Sequence, residues 1–432
     1  MKFPGRRKSK HYFPVNENGR IAFDYNFHQK GSVYVVGIDQ FLVDIEVEVT
    51  EEFLAEHNIP KGESILLGKE LAENLCREFR EKNLITGLYA GGAVGNTLHN
   101  YSVLSDDQSF ALGCISENIK VGGDAFNYIC NTNSHVDFSN VCPIDGELGR
   151  AICFITPDRE RTFGVAKGIM NELDQKYIPE KLITGAACLL ISCFLLRDET
   201  SPIFASTMKA VKLAKKSGVP IILAMGTAIL IEQKKEFFLK FIEEYINVVA
   251  LNSFEATALT GFEDPLKAGE QILEITDLIL LTVGPSGLYL CGHVDDQYSR
   301  QTTHQLHTKS IIEYNKYEYS RAMKKSKCKN AVKIYAHMNP YLGGPGTIKN
   351  TNGAGDAALA GLMHDMVANS YHRKLLPNAT KHIGDHLLYS SLRQVCKYSS
   401  RISYEVLKQN SPRLSHGLPE KEDSLKESYW EK

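Results

Sequence analysis

The ten cysteines of this 432-residue chain stand singly, and no C-x-x-C pair occurs among them. No apolar stretch follows the basic start "MKFPGRRKSKHYFP", so a secretory leader is not expected. Together these features point to reduced thiols in a cytoplasm. Charge of one sign is lacking too: 49 basic and 51 acidic residues leave a formal charge of -2. That argues against a dedicated nucleic-acid binder. The uncharged run Leu182 to Leu196 is too short to span a bilayer. Internal repeats are absent, and so is a Walker A loop, G-x-x-x-x-G-K-[ST]. His382 with His386, and His304 with His307, have metal-like spacing but no matching acid or cysteine. They read as surface histidines.

What is present is a core and a rhythm. Hydrophobic residues make up 43% of the chain, enough for a substantial interior. Short apolar runs alternate with helical stretches. "SVYVVGID", "CLLISCFLL", "VPIILAMG", "INVVALN" and "DLILLTVG" read as strands. "GKELAENLCREFREK", "PIFASTMKAVKLAKKSG" and "AILIEQKKEFFLKFIEEY" read as helices. Such alternation predicts a parallel sheet covered on both faces, with ligands at the carboxyl ends of its strands. Two segments break the rhythm. Phe41–Phe53 alternates apolar and acidic residues like a half-exposed strand, and Ala151–Ala166 reads as a hairpin around Asp158. The two could pair as a small β-lid. About fifty polar, aromatic and basic residues, roughly 295–345, form an insertion longer than an ordinary loop. Beyond Asp356 only helical patterns remain, before a charged tail.

Four motifs lie where the pattern puts strand ends or turns. "KNTNGAGDAALAGL" places Gly353, Ala354 and Gly355 before Asp356 at a helix start. Unpaired N–H groups there suit an anion, whereas the plain alternative is a glycine turn with an Asp cap. In "NSFE", Asn252 and Glu255 share one helix face. The spacing fits a capping box and equally an outer-shell holder of hydrated Mg²⁺. "TVGPSG" sets Thr282, Gly284 and Gly287 between two strands, as a hairpin turn or a nucleotide shelf. "YAGGAVGN" brings Gly91, Gly92 and Asn96 to the start of a helix, for packing or for close approach of a polyhydroxylated ligand. Asp39 and Asp44 follow the first strand, where carboxylates could accept from vicinal hydroxyls.

Taken in order, these motifs resemble the ribokinase, or PfkB-type, family of carbohydrate and nucleoside kinases. "NTNGAGDAA" is similar to that family's D-T-x-G-A-G-D signature, with Asn350 where the first Asp usually stands. "GGAVGN", "NSFE" and "TVGPSG" resemble its glycine-pair, N-x-x-E and T-x-G-x-x-G motifs. "GCISENIKVGGDAF" and "DRERTF" resemble segments of the adenosine-kinase-like branch. The resemblance implies a three-layer α/β sandwich with a mainly parallel sheet and a β-lid. The kinase domain would run over 32–410, after an extension 1–31 and before a tail 411–432.

The same resemblance implies roles. Asp356 would be the general base for a nucleoside 5′-hydroxyl, beside an anion cradle at Gly353, Ala354 and Gly355. Arg161, on the lid, would reach the phosphates. Asn252 and Glu255 would orient Mg²⁺, and Thr282, Gly284 and Gly287 would line ATP. Asp39 or Asp44, with Gly91, Gly92 and Asn96, would hold the ribose, Asp44 matching the motif better. Likeness in the N-terminal segment, the insertion and the C-terminal segment implies inosine and guanosine as acceptors. The cofactor is Mg²⁺, with K⁺ left open, and ATP is the donor. Neither nucleic acid nor membrane is an expected partner, and a homodimer stays open. A kinase for adenosine or another sugar is the alternative within the family. A non-catalytic nucleoside-binding regulator is the alternative of another class, although a binder need not keep a base and a metal motif.

Overall fold

The structure is a computed structural model that describes residues 33–415, except 63, 106, 159–160, 303–309, 312–313, 315 and 342–347. The N-terminal extension, most of the tail, parts of the insertion, His304 and His307 lie outside those residues.

Among the described residues, nine strands form one sheet. Val248–Asn252, Leu278–Thr282, Ile221–Ala224 and Leu189–Ser192 are buried along nearly their whole length. Runs of this kind are stable only when helices cover both faces. From Leu278–Thr282 the sheet passes through Val248–Asn252, Ile221–Ala224, Leu189–Ser192, Tyr34–Ile38 and Gln108–Leu112 to Val136–Asp137, all parallel. Leu288–Asp295 and Ala331–Met338 add two antiparallel strands at the other edge. Helices Ala93–Leu104 and Leu392–Leu407 both pack against Ala354–Leu375. Helix Pro202–Lys216 packs on Leu189–Ser192 and Ile221–Ala224. The chain leaves Tyr34–Ile38 toward one edge and later returns to build the other from Leu189–Ser192. The strand order therefore reverses between these two neighbours, and that reversal opens a crevice at their carboxyl ends.

A second sheet of five strands runs Ser64–Leu66, Arg161–Ala166, Gly149–Ile155, Leu42–Glu48, Ile85–Ala90. It is the small lid sheet. The hairpin forms with Arg161 opposite Ile155. Helix Lys69–Glu81 turns Ala72, Leu75, Cys76 and Phe79 inward, the i, i+3, i+4, i+7 stripe of an amphipathic helix. Phe79 meets Phe53 and Phe154 at ring separations of 5.7 and 6.2 Å.

Several local expectations are corrected. The lid strand stops at Glu48, because the Thr50 hydroxyl accepts from the Phe53 N–H and starts helix Glu51–Glu56. "CLLISCFLL" is extended only to Ser192 and then turns through Cys193–Leu196 into the crevice. The helix expected over "AILIEQKKEFFLKFIEEY" breaks at Lys234, whose ammonium reaches the Leu196 carbonyl and Glu199. The insertion is no excursion at its end, since Ala331–Met338 completes the main sheet. His382 and His386 are buried rather than at the surface. His382 pairs with His372 at 2.5 Å, and His386 contacts the Arg321 carbonyl. Burial pushes the pKa of each down to about 4, which keeps both neutral. The tail from 411 begins inside the fold, with Arg413 and Leu414 buried.

The Phe79→Ala protein should lose about 3–5 kcal/mol of stability, because a fully buried ring leaves a cavity in the lid. Urea unfolding of the two proteins measures it.

Candidate active site

The crevice at the strand reversal has two lobes. One, of about 420 Å³, is lined by Asp39, Asp44, Gly92, Asn96, Arg161, Gly353 and Asp356, among others. The second, of about 340 Å³, is lined by Asn252, Glu255, Thr282, Gly353, Gly355 and Asp356, among others. Asp356 and Gly353 belong to both, so Asp356 stands where the lobes meet. Gly91, Ala354, Gly284 and Gly287 are not among the lining residues of either.

Asp39 follows its strand directly and is buried, with Oδ2 accepting from the Gly95 N–H at 2.7 Å. It thereby caps helix Ala93–Leu104, whose N-cap Gly92 has no side chain to do so. Gly92 sits at φ 90°, and a Cβ there would lie 2.2 Å from Asp39 Oδ2. Gly91 does the same for Asp44: a Cβ would lie 2.6 Å from its carboxylate. Asp44 is half-buried and faces the cleft from strand Leu42–Glu48. Asn96 donates from Nδ2 to Asp356 Oδ2 at 3.1 Å.

Arg413 is the residue that motif reading did not single out. Its Nε donates to Asn96 Oδ1 at 2.9 Å, Nη1 to Thr132 Oγ1 at 2.6 Å, and Nη2 to the Gly91 carbonyl at 3.2 Å. Its guanidinium also lies over the Tyr128 ring. Burial pushes Asp39, Asp44 and Asp356 each up to about 7, and the Arg413 charge pulls all three back down. Without that cation the cleft would hold three carboxylates with no compensating charge of this kind. Arg413 lies 57 residues beyond Asp356, in a stretch without helix or strand, and no spacing rule connects it to Asn96.

At the helix start, Gly353 takes φ 75° and leaves a Cβ no room, 2.4 Å from the Pro412 carbonyl. Gly355 is different: a Cβ there would meet nothing within 4 Å, so its backbone opens onto the cleft. Ala354, the first helical residue between them, receives the Ser403 hydroxyl on its carbonyl. Asn252 and Glu255 form the capping box, each side chain accepting from the other's backbone N–H. The two side chains also bond to each other at 2.8 Å. Glu255 is buried, and burial lifts its pKa to about 7, with Asp356 raising it further. Thr282 is the register partner of Asn252 on the next strand. Gly284 and Gly287, both at positive φ, form the hairpin turn beyond it.

Arg161 does not point its Nη2 into open cleft. It donates to Asn350 Oδ1 at 2.8 Å, and Asn350 Nδ2 donates to Glu46 Oε1 at 3.0 Å. The side-chain amide of Asn350 thus joins two of the lid strands to the glycine turn. Among the described residues no group of three or more His, Cys, Asp or Glu could hold a metal directly. Asp356 and Glu255, both raised by burial and each facing the second lobe, instead fit a hydrated dication that touches them through water.

The fold can be compared with known proteins. It superposes on the adenosine kinase of Sinorhizobium meliloti with a TM-score of 0.65 and 18% identity, over 89% of this chain and 96% of that one. A probable sugar kinase from Rhizobium etli gives a TM-score of 0.65 with 17% identity, over 90% and 96%. No family model matches the chain. This is the ribokinase-like fold of nucleoside and sugar kinases. In sequence, the guanosine-inosine kinase of Escherichia coli K12 is 48% identical over 434 residues, covering 100% of both chains. The chain belongs to the guanosine-inosine kinase family.

Arg413→Met should lower stability by about 3–5 kcal/mol, because it removes a buried cation and the hydrogen bonds it donates to Asn96, Thr132 and the Gly91 and Asn131 carbonyls. Arg413→Lys, which keeps the charge but not the fork, should lose less. Chemical denaturation of both variants reads the order.

Proposed function

We propose that the protein transfers the γ-phosphoryl group of ATP to the 5′-hydroxyl of inosine and guanosine, with Asp356 as general base. The observation that carries the acceptor is full-length identity of 48% to a guanosine-inosine kinase. The two-lobed cleft supports the chemistry. The nucleoside fills the lobe of Asp39, Asp44 and Asn96, and ATP the lobe of Thr282 and Gly355. Asp44 accepts from the ribose hydroxyls; what supports it over Asp39 is that Asp39 Oδ2 is committed to Gly95. Gly92 keeps that wall free of a side chain, and Gly91 leaves room for the Asp44 carboxylate.

Asp356 takes the 5′-hydroxyl proton as the oxygen attacks phosphorus and the bond to the ADP oxygen breaks. Its pKa near 7 suits this task, since a base works best near the ambient pH. Asn96 holds the carboxylate in place, and Arg413 holds Asn96. The N–H groups at the start of helix Ala354–Leu375 face the transferring group at the positive end of the dipole. Gly355 leaves them uncovered. Arg161 adds a guanidinium from the lid, held in register by Asn350. Mg²⁺, oriented through Asn252 and Glu255, neutralises charge on the phosphates when bound. We read the protein as a cytoplasmic enzyme of purine nucleoside salvage, with ten free cysteines in accord.

The test is a turnover panel with Mg-ATP. Inosine and guanosine should exceed adenosine, free ribose and fructose 6-phosphate in kcat/KM. An adenosine win would move the protein to the neighbouring specificity, and absence of turnover with every acceptor would favour a non-catalytic binder.

Asp356→Asn should lower kcat by about 10²–10⁴ while nucleoside affinity stays within a few-fold. The amide keeps the size and can still meet Asn96. Steady-state kinetics with a binding titration separate the two effects, and near-normal turnover would remove Asp356 from the mechanism.

A further inference from the structure

The nucleoside lobe must tell a 6-oxo purine from a 6-amino one, and none of the residues considered so far does that. Beyond its acids and glycines, this lobe has an apolar wall of Leu42, Phe163, Val165, Met170 and Ile229. Such a wall suits a flat heterocycle but reads no edge of it. Arg197 lines the same lobe and is not among the lining residues of the ATP lobe. It follows the turn Cys193–Leu196, which leaves the strand at the topological reversal. Its guanidinium carbon lies 5.4 Å from the centre of the Phe194 ring. Phe194 lines both lobes.

Among the described residues, no carboxylate or carbonyl accepts a hydrogen bond from the Arg197 guanidinium. Two other polar groups of the lobe are engaged elsewhere: Arg161 Nη2 donates to Asn350, and Gln40 Nε2 to Asn171 Oδ1. Arg197 is half-buried, and that burial pulls its pKa down. The guanidinium can donate to a ligand that enters the lobe.

We propose that Arg197 reads the purine, donating two parallel N–H bonds to O6 and N7 of hypoxanthine or guanine. This rests on the acceptor reading above. Both ring positions are acceptors on one edge, and their spacing matches the guanidinium fork. Adenine puts its N6 amino donor where O6 would be. One guanidinium N–H then faces a donor and is left unpaired, the arrangement by which a hydrogen-bonding site rejects an analogue.

Three measurements test it. First, the inosine-to-adenosine ratio of kcat/KM is compared in wild type, Arg197→Met and Arg197→Lys. The Met variant should lower the ratio by about 10- to 100-fold, as expected for one lost bidentate pair. Lys keeps the charge without the fork, so it should recover only part of the ratio. Second, KM for ATP is followed in each variant. A rise in that KM with an unchanged nucleoside ratio overturns the assignment in favour of a phosphate contact. Third, guanosine and 7-deazaguanosine are titrated into the wild-type protein by calorimetry, which depends on no variant folding. Loss of the N7 acceptor should weaken binding about tenfold or more, and equal affinities overturn the proposal. Wild-type protein that turns over neither inosine nor guanosine defeats the acceptor reading and this inference together. Turnover of both, with a nucleoside ratio unmoved in both folded variants, defeats only this inference.

Discussion

One buried guanidinium, that of Arg413, holds the acceptor half of this cleft together. It donates to Asn96, to the Gly91 carbonyl and to Thr132, and it lies near three carboxylates. Asn96 passes the constraint on to Asp356. The glycine pair, the helix that carries Asn96 and the base at the start of another helix are therefore fixed by a single side chain. A lysine could supply charge there but not five donors in one plane.

The cost of the arrangement is electrostatic. Asp39, Asp44, Asp356 and Glu255 all have pKa values lifted to about 7, chiefly by burial. Each is raised above its unfolded value, so its contribution to folding is fully present only below about pH 4 and is lost as pH rises through 7. Near neutral pH the ligand-free cleft is thus under strain from its own acids. Ribose hydroxyls on Asp44 and a hydrated cation by Glu255 would relieve it, so ligand binding and folding draw on the same charges.

Asn350 shows why a departure from a family signature can be informative. Its Oδ1 accepts from Arg161 and its Nδ2 donates to Glu46. An aspartate there would keep the first bond but would set carboxylate against carboxylate at Glu46. With an amide, one residue joins a cation and an anion of the lid to the turn before Gly353. Lid position and cradle position are thereby coupled.

The sequence by itself determined the sheet, most of the helices and most of the residues that line the cleft. Apolar runs such as "IILA" and "LILLT" can be stable only as covered parallel strands, and the amphipathic stripe of 69–81 has one helical solution. Glycines before an acid at a helix start are legible as a turn whose N–H groups lack intrahelical partners and so suit an anion or a cap. Local signals failed where competing local chemistry was subtle: the Thr50 cap, the break at Lys234, the turn after Ser192. The histidines 382 and 386 looked exposed because spacing carries no information about burial. Only the tertiary structure decided that Arg413 enters the site, that Asn350 ties the lid to the glycine turn, and that Arg197 lines the lobe beside an apolar wall. Some of these contacts join residues 322 positions apart, as Arg413 and Gly91 are. Charge, hydrogen-bond geometry and solvent exclusion act through space, and no periodicity along the chain encodes them.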